Sequence, residues 1–141
     1  MKADLTRVKQ YIAEIKKNSV ELNELIDQGR LTPNSLPMKA AKYIVIELAE
    51  TMSNTIQHIL AKEKGIAVSG YIDAVLKAYE NGLIQESLFK RLKPFFDFRN
   101  SLIHRYWTIN DERMIDNIVN GRDVFEQFIA EIESFLKIDT G

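Results

Sequence analysis

An all-α antiparallel bundle of about five helices is the fold class this sequence predicts, and three observations carry it. Apolar residues recur at spacings of three and four along most of the chain. No convincing run of period-two alternation is present, so half-buried strands are not expected. Gly and Pro together make only nine of the 141 residues, few enough for long uninterrupted helices. Short connections between long helices bring neighbours back alongside one another. A chain of this length corresponds to one domain, which is expected to span 1–141.

The first helix is expected from Leu5, Val8, Ile12, Ile15, Leu22 and Ile26, a heptad-like seam with one polar gap at Ser19, ending near Gly29. Pro33 and Pro37 mark a loop, and a second helix begins near Pro37 or Met38. Its stripe of Ile44, Val45, Leu48, Met52, Ile56, Ile59 and Leu60 runs to Gly65. Ser69 is the expected N-cap of a short third helix through Tyr79, followed by a turn at Asn81-Gly82. A fourth helix is expected over about 85–106, kinked or restarted at Pro94. Asn110 caps the fifth, whose Ile115, Ile118, Phe125, Phe128, Ile132 and Phe135 keep the helical period.

Composition narrows the function classes. The chain is 45% hydrophobic and 28% charged, which argues against a disordered, fibrous or membrane protein. The absence of Cys removes disulfide frameworks, thiolate metal sites and cysteine nucleophiles. Residues 1–10, MKADLTRVKQ, are charged at helical spacing, and no apolar run approaches the roughly 18 residues of a membrane span, so a cytoplasmic protein is expected. With 19 basic and 20 acidic residues, no general field draws in polyanions. The basic groups are nevertheless unevenly placed: 85–107 carries five against two acidic ones, whereas 108–141 carries three against eight.

That basic stretch contains FFDFRNSLIHRYW, Phe95 to Trp107, in which Arg99 is followed by His104 after four residues and by Tyr106 two further on. On an uninterrupted helix with Arg99 at zero, Tyr106 falls at about −20°, Asn100 at about 100° and His104 at about 140°. Phe95, Phe98 and Leu102 lie between about 260° and 320°, where they can enter a core beside the polar arc. A groove between helices or subunits can hold all four polar residues. An imidazole exchanges protons near neutral pH, and a guanidinium holds phosphate as charge builds on its oxygens. Those are the parts that RNA cleavage by an attacking 2′-OH requires.

Arg99-X4-His104-X-Tyr106 resembles the Arg-X4–6-His motif of the HEPN superfamily, and its added Tyr resembles the HepT-like toxins within it. Asn100 fills a position where HEPN proteins often carry a polar residue, Leu102-Ile103 match the apolar pair before the His, and IELAETMSNTIQHILAK, Ile46 to Lys62, is similar to the family's second helix.

The resemblance implies a HEPN-like bundle acting as a metal-independent endoribonuclease, the toxin of a type II toxin-antitoxin pair, with no cofactor. Arg99 and His104 would be catalytic and Asn100 supporting or substrate-binding. It also implies a minimal nucleotidyltransferase (MNT-type) antitoxin that adenylylates Tyr106. One chain offers only His58 and His104, so a symmetric homodimer would supply the second catalytic His in a composite cleft, as the resemblance also implies. The competing reading is a non-catalytic interaction or substrate-binding subunit of a nucleotidyltransferase.

His58 closes a polar row, Glu50, Asn54 and His58, at i,i+4 spacing. The row reads as a solvated or inter-helix ridge, or as groups that line the Arg99 cleft and position Arg99 or substrate. Family members commonly have an acidic residue where Asn54 stands, so the row is left out of the catalytic set. Phe95, Phe96, Phe98 and Trp107 are expected in the core rather than stacked on bases. Lys90, Arg91 and Lys93 are expected on a solvated face.

Overall fold

The computed structural model describes residues 2–101 and 110–140, and among them the chain is all-helical. Six helices are present among the described residues: α1 (Leu5–Asp27), α2 (Leu36–Lys64), α3 (Tyr71–Glu80), α4 (Glu86–Ser101), α5 (Asp111–Asn120) and α6 (Val124–Leu136). Helix α2 packs against α1, α3 and α4, and α6 closes the bundle against α1 and α4.

The helix ends follow local chemistry. Asp4 caps α1 by accepting the Arg7 N–H, and Ser35 caps α2 by accepting the Met38 N–H, so that α2 starts at Leu36, one or two residues before the expected Pro37 or Met38. Gly65 ends α2 in the left-handed conformation. Asn110 caps α5 through the Arg113 N–H, as its sequence position predicts. Ser69 does not cap α3. The cap residue is Gly70, at φ 95°, and Asp73 reaches back to accept the Ser69 N–H at 2.9 Å.

One further expectation changes, and another is narrowed. The last expected helix is two, α5 ending at Asn120 and α6 starting at Val124, with Gly121 at the break beside the Phe95 ring. A Cβ at Gly121 would stand 3.0 Å from that ring and 2.8 Å from the Asn117 carbonyl. Helix α4 runs through Pro94 as one element, with no fresh start. The part of the fourth expected helix beyond Ser101, including Leu102, Ile103 and Trp107, lies outside the described residues.

The core is built from the predicted stripes, with Phe95, Phe96, Phe125 and Phe128 its largest fully buried side chains. Phe95 and Phe125 meet with ring centroids 5.2 Å apart. Truncating any one of these rings to Ala would cost about 3–5 kcal/mol. Phe98 is also buried, so these three aromatics of α4 are core, as expected. Leu5 is the exception in the α1 seam, at 42% exposed, whereas Ser19 is buried within it. Among the described residues no helix is long and apolar enough to cross a membrane.

Candidate active site

Three helices meet at Arg99. It lies in the last turn of α4, where its side chain meets α2 and α3. Its Nε–H donates to Glu50 Oε1 on α2 at 2.9 Å, and its guanidinium carbon stands 4.7 Å from the centroid of the Tyr71 ring at the start of α3. The Arg99 side chain is 21% exposed and that of Glu50 42%, so the pair is reachable from solvent. Among the described residues the two terminal nitrogens of Arg99 make no hydrogen bond. With Nε engaged, they form the open end of the guanidinium fork, the geometry suited to a phosphate.

Asn100 follows on the same helix and is half-buried. His104 and Tyr106 lie outside the described residues. What is described is how the ends of their segment are held. On one side Arg99 is bonded to Glu50; on the other, Asp111 at the start of α5 is ion-paired with Lys42 and accepts the Asn34 N–H at 2.9 Å. Those two contacts hold the Asp111 carboxyl below the usual carboxylate range. Lys42 and Glu50 are eight residues apart on α2, about 12 Å along its axis. One rigid helix thus sets the spacing of both ends.

The far end of the Glu50–Asn54–His58 row does something else. His58 Nε2 accepts the backbone N–H of Asp4 at 2.8 Å, and nearby Glu63 accepts the N–H of Ala3. These contacts tie the chain's N-terminal residues to α2. An Nε2 that accepts must be unprotonated, which places the imidazole proton on Nδ1. Burial lowers the His58 pKa, the positive charge of Arg7 and then of Lys62 adds to that, and Asp4 opposes it. Asn54, between the two ends, is exposed.

The basic run of α4 is neutralised within the chain. Lys90 pairs with Glu86 at 2.9 Å, Lys93 with Asp97 at 3.1 Å, and Arg91 with Asp123. Arg91 also bonds Gln127 and the Asn120 carbonyl, which fastens the α5–α6 turn. These cations are a solvated, internally paired face, as expected. A cleft of about 300 Å³ between α4 and α5, lined by Asp97, Ser101, Asn110 and Arg113 among others, does not include Arg99, Glu50 or Tyr71. No three His, Asp or Glu side chains converge at metal-binding distance among the described residues.

The motif spacing points to Arg99 and the polar row of α2 contains Glu50, whereas no sequence pattern marks Tyr71. Glu50 was accessible through its i,i+4 spacing. Tyr71 had no such signal, because its role depends on where the loop after α2 delivers the first residue of α3.

The family model described as Ribonuclease HepT-like matches residues 2–132. A comparison with curated proteins gives no match. Among solved structures, the chain is similar to a tri-AMPylated HEPN toxin of Shewanella oneidensis in complex with MNT antitoxin. Identity is 20%, the match covers 91% of this chain and 97% of that one, and the TM-score is 0.80. It is also similar to a mutant of the toxin-antitoxin pair MntA-HpeT, with 20% identity, 92% and 98% coverage, and a TM-score of 0.76. At that identity the two structures establish the shared fold.

Proposed function

The chain belongs to the HepT-like family, and from that membership we propose that it is the ribonuclease toxin of a type II toxin-antitoxin pair, cleaving RNA without a metal. The observation that carries the reading is the state of Arg99: held at Nε by Glu50, one-fifth exposed, and with its two terminal nitrogens unbonded among the described residues, which suits them to a phosphate. His104, five residues on, supplies the proton-transfer group. In the proposed reaction the RNA 2′-oxygen attacks the adjacent phosphorus as a base takes its proton. The bond to the 5′-oxygen breaks as an acid protonates it, and Arg99 stabilises the charge on the phosphoryl oxygens. Two imidazoles serve these two transfers, so a C2 homodimer that pairs the His104 residues across one cleft completes the site. Asn100 supports the bound substrate.

Regulation falls to an MNT-type nucleotidyltransferase antitoxin that adenylylates Tyr106. Support comes from the similar Shewanella toxin, which carries AMP groups and is bound to such an antitoxin. An added AMP would bring bulk and negative charge to the motif and repel RNA phosphate. A non-catalytic docking subunit would keep the same bundle and the same partner but would have no use for a cation fixed at Nε beside a proton-transfer residue five positions on.

Incubating the purified protein with total RNA and a metal chelator tests the reading. Cleavage that disappears in His104→Ala is expected, and intact RNA with the wild-type protein would refute it. Co-expression with the antitoxin should add AMP to Tyr106 by mass spectrometry and silence cleavage. AMP found only elsewhere would remove that residue from the switch.

A further inference from the structure

Arg99 is restrained by two groups of different chemistry, and only one of them is an anion. Glu50 fixes the guanidinium at Nε but also offsets its charge, which a phosphate-binding cation needs. The Tyr71 ring fixes it by another route. An aromatic face attracts a cation electrostatically within about 6 Å and offers no lone pair that competes with phosphate for the N–H groups. At 4.7 Å from the centroid, Arg99 is inside that range. An arginine side chain has many rotamers, and a site that restricts them before substrate arrives does not lose that freedom on binding.

The ring is itself held firmly. Tyr71 is the first residue of α3 and packs partly into the core. Before it, Gly70 takes φ 95°, a conformation that side-chain-bearing residues rarely adopt. After it, Asp73 accepts the Ser69 N–H and pairs with Lys77 at 3.1 Å, while Lys77 also donates to the Ala67 carbonyl at 2.9 Å. The loop and the first turn of α3 are thereby closed on each other, with Tyr71 between them.

Resting on the ribonuclease reading, we propose that Tyr71 is a positioning residue for it. The ring face holds the Arg99 guanidinium in the plane in which Glu50 takes Nε–H and the terminal nitrogens meet the RNA phosphate. The ring does this work, and the Tyr71 hydroxyl does not.

Two readouts test this. Tyr71→Leu keeps the apolar bulk but removes the aromatic face, and should lower kcat for RNA cleavage about 3- to 30-fold with KM within about twofold. Tyr71→Phe restores the ring and should return kcat to within about twofold of wild type. Equal rates for Leu and Tyr, or an equal loss in Leu and Phe, would overturn the proposal. The second readout is the ring-current shift of the Arg99 side-chain protons by NMR, expected in the wild-type and Phe proteins and absent in Leu. It is read on wild-type protein, so it survives a Leu variant that fails to fold. A shift present in a protein that cleaves no RNA would remove the reaction and keep the placement. Cleavage without the shift would remove the placement and keep the reaction.

Discussion

Glu50 and His58 stand two turns apart in one polar row on one helix, and they serve different ends. At Glu50 the arriving element is α4, which brings a guanidinium whose terminal nitrogens are unbonded among the described residues. At His58 the arriving element is the N-terminal segment, whose Asp4 N–H consumes the acceptor nitrogen. A regular polar row therefore reports only that something polar meets the helix. Which element meets it decides whether the contact is chemistry or a tether.

The sharpest way to break this comparison is to remove the cation. Arg99→Ala should lower RNA cleavage and toxicity on the order of 100-fold or more, with helical content by circular dichroism unchanged. A variant at wild-type rate would end the catalytic assignment. A smaller effect separates the two ends of the row directly. Glu50→Ala should lower the rate about tenfold, since Arg99 keeps the Tyr71 ring but loses its anchor. His58→Ala should leave the rate unchanged and lower Tm by about 2–4 °C, the cost of one partly exposed hydrogen bond. The opposite pattern, a rate effect at His58 and none at Glu50, would invert the account.

The smallest effect is a pH dependence confined to the His58 end. Its folded pKa lies below the unfolded value because burial and Arg7 disfavour the charged form. Between the two values the unfolded chain binds more protons, so stability rises with pH across that window. The contribution is complete above about pH 6.5 and is lost as pH falls through the lower, folded value. A second proton would also place a donor on Nε2, facing the Asp4 N–H. The Asp4 amide signal should shift on acidification below about pH 6.5 in wild type and stay fixed in His58→Gln. A flat wild-type profile would show that the tether does not depend on the imidazole.

Much of the fold was legible, because helical periodicity registers which residues are buried whatever they pack against. The stripes of α1, α2 and α6 and the Asn110 cap needed no tertiary knowledge. The break at Gly121 carries the same Asn-Gly signal as the turn at Asn81-Gly82, but the helical period of the apolar residues on either side of it masks it; the closeness of Phe95, 26 positions away in the chain, has no local signal. The Ser69 cap, an acceptable residue at an acceptable place, is displaced by Asp73 bonding from the helix side. At the site, Arg99 was found through its spacing to His104 and Tyr106. Its two supports come from α2 and α3, 49 and 28 residues earlier, and local pattern carries no record of such distances.

The measurement that bears most directly on the central claim is the chemistry of the new RNA ends. The protein should be given a defined RNA in the presence of a chelator and the fragments analysed by mass spectrometry, with Arg99→Ala as control. Attack by the 2′-oxygen predicts upstream fragments ending in a 2′,3′-cyclic phosphate, downstream fragments beginning with a 5′-hydroxyl, and neither in the control. Fragments with 3′-hydroxyl and 5′-phosphate ends, or the same cyclic phosphate from Arg99→Ala, would contradict it.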